Sequence, residues 1–83
     1  MKELKIYCIF YATADGNATG TEYVVGATDY KAMKTFFNYG DEDASVVIEI
    51  FDYGTVEELQ NDETFYGVEI LQADGTYVAI NEM

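Results

Sequence analysis

Only one long stretch of this chain, residues 30–39, carries apolar residues at helical spacing. The other apolar stretches alternate or stop at turn signals, so the chain is limited to a sheet with one principal helix. In the helical stretch Tyr30, Met33 and Phe37 form one row and Ala32, Phe36 and Tyr39 an adjacent one. Thr28 or Asp29 supplies a side-chain oxygen for the N-cap. Gly40 stands where a left-handed C-cap is expected. Lys31 and Lys34 lie one turn apart, towards solvent.

The strands follow from period-two alternation. Residues 4–12 place Leu4, Ile6, Cys8 and Phe10 on one face and Lys5, Tyr7, Ile9 and Tyr11 on the other. Residues 13–20, with Asp15-Gly16-Asn17, are a turn, and residues 21–27 are the hairpin mate. Residues 45–53 are the clearest strand, with Val46, Ile48 and Ile50 facing one way. Residues 54–63 are polar and acidic, and 55–60 fit either a short helical turn or a strand extension. Residues 64–72 and 76–80 flank Asp74-Gly75, a two-residue hairpin signal. Two registers compete in that last hairpin: Tyr66, Val68 and Ile70 against Phe65, Leu71, Val78 and Ile80.

The expected fold is therefore α+β in the order ββαβββ. It is one domain over residues 1–83, a mostly antiparallel sheet of about five strands with one helix on one face. One helix covers only one face of such a sheet. The opposite face is expected to be open and to carry Tyr7, Ile9 and Tyr11 with Val47, Glu49, Phe51 and Tyr53. A face mixing tyrosines and carboxylates is a candidate contact surface. The plainer reading is that tyrosines simply suit β structure.

Charge narrows the partners. The chain has 16 Asp or Glu against four Lys, with no Arg and no His, for a net charge of −12. Residues 1–34 balance four carboxylates against the four lysines, whereas residues 35–83 hold twelve carboxylates and no cation. Binding to nucleic acid directly, or to an anionic membrane, is disfavoured. A basic protein surface or a cation is the complement. No apolar run approaches the roughly 20 residues that span a bilayer, and no secretory leader is recognised at the start. The expected location is the cytoplasm.

Catalytic chemistry is poorly supplied. Cys8 is mid-strand on an apolar face, with no His to activate it, and reads as a buried structural residue. No glycine pattern matches a phosphate loop. With so many carboxylates, some pairs fall close together by number alone, so proximity says little about acid–base catalysis. Asp41-Glu42-Asp43 and Asp15-Gly16-Asn17 are oxygen-rich, but neither follows a calcium-loop pattern, and solvated loops are the default. Zinc lacks His and paired Cys. The expectation is a non-enzymatic binding protein with no cofactor and no metal.

The sharper idea is electrostatic mimicry. Alternate side chains on one strand face are roughly 6.6 Å apart. That is close to twice the 3.4 Å rise of a nucleic-acid strand, and so to its phosphate spacing once winding is included. The expected surrogates are Glu49, Asp52, Glu57, Glu58, Asp62, Glu63 and Glu69, with Asp41, Glu42 and Asp43 as a second cluster and Tyr53 and Tyr66 as contact area. Tyr7 and Tyr11 join those two as further contact tyrosines. Solubility alone would explain acidity, but ordinary surfaces intersperse both signs.

In size, in lacking Arg and His, and in the carboxylate-rich stretch from Asp41 to Glu69, the chain resembles small phage or mobile-element inhibitors, the anti-CRISPR and anti-restriction DNA mimics. The resemblance covers about a third of the chain and contains no diagnostic motif. It implies a stoichiometric inhibitor that blocks the nucleic-acid-binding groove of a bacterial defence nuclease inside a host cell. The alternative is an acidic interaction or immunity-like module. That module binds a basic protein, or forms a homodimer through a Tyr-rich sheet face.

Overall fold

The computed structural model describes residues 3–83. Its elements run β1 (Lys5–Thr13), β2 (Thr19–Gly26), α1 (Asp29–Tyr39), β3 (Ala44–Thr55), α2 (Val56–Gln60), β4 (Glu69–Leu71) and β5 (Tyr77–Ala79), with 3-10 turns at Glu63–Phe65 and Ile80–Glu82. The five strands form one sheet in the order β3-β1-β2-β4-β5. This is the expected α+β fold, with one parallel pair, β2 with β4, in an otherwise antiparallel sheet. Among the described residues no helix is long and apolar enough to cross a membrane.

The Thr28 side chain caps α1 by accepting from the Lys31 N–H at 3.2 Å. Only Ala32 and Phe36 of the helix are fully buried, with Met33 partly so. Tyr30 and Phe37, expected in the core, are 72% and 63% exposed. The buried stripe is narrow because the helix contacts chiefly β2, with little contact to β1 or β4. Gly40 is also not left-handed: its φ is −76°. It is required by close approach, because a Cβ there would meet the Phe36 carbonyl at 2.6 Å and a Glu22 oxygen at 2.7 Å.

The largest departure concerns the sheet faces. Tyr7, Ile9 and Tyr11 are not on an open face; they lie under α1 with Val24, Phe36 and Leu71, and each is at most 6% exposed. The other face is covered too. Ile6, Val25 and Ile70 pack there against Leu59 of α2 and against Ile80, with Phe65 and Met83 at the margin. The chain after β3 thus supplies a second cover that a single-helix count omits. Thr55 and Glu58 start α2 with a reciprocal capping box, which makes residues 55–60 a helical turn rather than a strand extension.

Alternation fails on β3 because the strand is bulged against β1. Phe10 pairs with Glu49 but Tyr11 pairs with Val47, leaving Ile48 as an extra residue. The bulge puts Val47 and Ile50 on the α1 side. Val46 and Ile48, expected to share a buried face with Ile50, are 58% and 52% exposed.

The last hairpin is shorter than expected. Asp62 accepts from the Thr64 N–H and hydroxyl, forming a 3-10 turn where a strand was expected. Gly67, at φ +85°, turns the chain before β4. The β4–β5 connection is not a two-residue loop. A turn from Gln72 to Gly75 (N–H to carbonyl, 2.9 Å) is followed by the Gln72 N–H to Thr76 carbonyl bond, with Gly75 at φ +93°. That is a three-residue loop with a glycine in the left-handed region. Both competing registers are half right: Ile70 is buried on one face and Leu71 on the other.

Candidate functional site

The expected carboxylates divide by what they touch. Asp41 accepts from the Tyr11 hydroxyl at 2.7 Å and from the Asp43 N–H at 2.9 Å. Asp52 accepts from Lys5 Nζ at 3.0 Å and from the Gly54 N–H at 2.9 Å. Glu58 belongs to the capping box, and Asp62 caps the turn at Glu63. The Tyr11, Lys5 and Thr64 hydrogen bonds, respectively, hold the Asp41, Asp52 and Asp62 carboxyls below the usual carboxylate value. These four residues therefore have structural work to do.

Glu42, Asp43, Glu49, Glu57, Glu63 and Glu69 are exposed. Their carboxylates take no hydrogen bond or ion pair among the described residues. Lys5–Asp52 is the single salt bridge among those residues. Unlike the flexible acids of a disordered tail, most of these groups are set on or beside regular elements. Asp43 directly precedes β3, Glu49 is within it, Glu57 is on α2, and Glu63 starts the following turn.

An aromatic cluster ties that turn to the strand. The Tyr53 ring lies 5.6 Å from Tyr23 and 5.9 Å from Phe65, and Tyr23 lies 6.1 Å from Phe65. These are edge-on contacts of the favourable kind. Tyr53 is still 42% exposed and Tyr66 53%. The stretch from Asp41 to Glu63 thus lies along the β3 margin and the cover behind it. Glu69 is apart from this stretch. Its strand is separated from β3 by β1 and β2, a distance of about 14 Å at ordinary strand spacing. The structure does not gather the expected residues into one row.

The open apolar area also differs from the expected one. Cross-strand pairing puts Glu49 beside Phe10 and Phe51 beside Cys8, on the face opposite α1. There Phe51 is 41% exposed. Val46, Ile48, Phe51 and Tyr53 are the exposed apolar residues of β3, and Glu49 stands among them. Tyr7 and Tyr11 contribute nothing to this surface, so the contact area rests on β3 and not on β1.

Sequence reasoning missed a second carboxylate–phenol contact. The Tyr77 hydroxyl donates to Glu22 at 2.5 Å, while the other Glu22 oxygen is buried with no hydrogen-bond partner among the described residues. Burial first, and then these bonds, push Tyr11 and Tyr77 up to about 12. Nothing local in the sequence signals this pair, since 55 residues separate its members. Glu22 and Asp41 lie by the C-terminal end of α1, whose last turn carries no basic residue. The negative end of the helix dipole therefore adds to the acidic potential there.

Cys8 is 4% exposed, and burial raises its thiol pKa, partly offset by the nearby Tyr53 side chain. A protonated, enclosed thiol is a poor nucleophile. Among the described residues no three His, Cys, Asp or Glu side chains converge as a metal-binding group. Comparison with protein-family models, with curated proteins and with solved structures finds no match to this chain.

Proposed function

We propose that this protein is a non-enzymatic, stoichiometric inhibitor that docks its acidic side into the basic nucleic-acid-binding groove of a bacterial defence nuclease in the cytoplasm. The observation that supports this reading most is the set of carboxylates along Asp43, Glu49, Glu57 and Glu63, without a cation or hydrogen bond among the described residues, set on or beside regular elements and on the same stretch as the exposed Phe51 and Tyr53. Fixed charges steer association with a basic groove without each having to be ordered on binding. The aromatic side chains supply contact area that water leaves on docking. The burial of Tyr7 and Tyr11 moves the apolar part of the contact onto β3.

The test uses purified CRISPR and restriction nucleases with labelled DNA, competed by this protein at low and moderate salt. The expected result is release of DNA from at least one nuclease, weakening steeply as salt rises. A variant with Glu42→Gln, Asp43→Asn, Glu49→Gln, Glu57→Gln and Glu63→Gln should lose the competition and stay folded. Reversal of Glu58 or Asp62 is a poorer probe, because both hold local structure. Undiminished competition by the neutralised variant would sink the proposal.

A further inference from the structure

The β3 margin has a property that acidity does not require. β3 is the longest strand, 12 residues, and lies at the edge of the sheet with β1 as its one neighbour. Among the described residues no backbone hydrogen bond from residues 45–54 to another segment fills its outer side. The opposite edge, β5, has only three residues. A long edge strand with a free row of N–H and C=O groups is a template for another strand, here interrupted by register shifts at Ser45, Ile48 and Tyr53, with Glu49–Asp52 as its regular stretch. Here the template is also apolar at Val46 and Ile48, 58% and 52% exposed.

We infer that the β3 edge receives an extended segment of a basic protein, which adds as a sixth strand and alternates apolar side chains with Lys or Arg. The inference deepens the proposed inhibitor reading and rests on it for the sign of the partner. Charge decides the occupant. From Asp41 to Thr55 the chain carries five carboxylates and no cation. Pairing with a second copy would set that array against itself, and like charges on paired strands are destabilising. Asp52 has its charge met by Lys5, but Glu49 and Asp43 have no cation among the described residues. A strand with Lys or Arg on one face meets these carboxylates. Val46 shares the face of Glu49, so the stem of such a Lys or Arg covers Val46 while its charge meets Glu49; the apolar side chains fall on the α1 side beside Val47 and Ile50, and the main-chain bonds supply affinity as in other strand-addition complexes.

The test titrates the intact protein with two labelled peptides of equal length and charge. One alternates Val and Lys; the other has the same Lys content but is interrupted by prolines, which cannot complete a ladder. Fluorescence anisotropy gives the affinities, and amide NMR shifts with hydrogen exchange give the location. The expected result is binding of the alternating peptide with shifts and slowed exchange confined to β3. The proline peptide should bind at least about tenfold more weakly, the loss of one or two net hydrogen bonds.

Equal binding of both peptides, or shifts elsewhere on the acidic side, overturns edge pairing. Such a result leaves the groove-blocking reading intact, because that reading needs charge and not a ladder. Failure of nuclease competition together with β3-confined peptide binding would remove the inhibitor reading and keep the edge. No binding of either peptide overturns the inference. So does a dimer joined through β3 in sedimentation experiments, which would make a second copy the occupant.

Discussion

Replacing Leu59 by Ala tests whether the acidic side is rigid. Leu59 is 6% exposed and is the buried residue of the five-residue α2, packed with Ile6, Val25, Ile70 and Ile80. Truncating a buried leucine costs about 2–5 kcal/mol, less where the site collapses readily. A short helix on a sheet shifts more easily than a core strand, so about 3 kcal/mol is the expected loss. A domain of this length has about 4–12 kcal/mol of stability in total. The midpoint of thermal unfolding should then fall by about 12 °C or more, at about 4–8 °C per kcal/mol. Urea unfolding followed by circular dichroism measures the free energy directly. Ile48→Ala, exposed on β3, is the control and should stay within about 0.5 kcal/mol. A loss below about 1 kcal/mol for Leu59→Ala would mean that α2 lies loosely on the sheet. Glu57 and Glu63 would then not be held in place, and the fixed-array reasoning would fail with them.

Two further outcomes test the local structure. Tyr11 and Tyr77 remain protonated up to about 12, above the unfolded value near 10, so their contribution to stability is complete below pH 10 and is lost as pH rises through about 12. Ultraviolet absorbance should show late-titrating phenols in the native protein, one fewer in Tyr77→Phe; eight phenols all titrating near 10 would contradict the burial and hydrogen bonds assigned to the pair. Thr55→Ala removes the hydroxyl that accepts from the Glu58 N–H and should cost about 1 kcal/mol in urea unfolding, with Thr55→Ser close to neutral. Equal loss in both variants would show that the threonine methyl, and not the cap, stabilises α2.

How far the fold was legible depended on the range of the interactions. The order ββαβββ follows from periodicity, and the α1 N-cap from Thr28, because strand alternation and caps are local. The helical spacing marks Gly40 as the boundary, but the left-handed turn it suggests is not what requires the glycine. Its need arises from Phe36 and Glu22, and the latter lies 18 positions away in sequence. Tyr7, Ile9 and Tyr11 alternate cleanly, but alternation says which residues share a face and not which face the helix takes. A one-residue bulge at Ile48 was enough to move Val47 into the core and leave Val46 outside.

The sequence by itself determined that this is an α+β chain with one principal helix, that its last 49 residues hold carboxylates without a cation, and that strand patterns run through that acidic half. Tertiary structure alone decided that both sheet faces are covered over β1, β2 and β4, that four of the proposed charges already serve caps or pairs, and that the open element is β3 with its edge. The division has a physical cause. Helical and strand periods and net charge are properties of neighbouring residues, whereas burial and hydrogen-bond satisfaction depend on which distant segments meet.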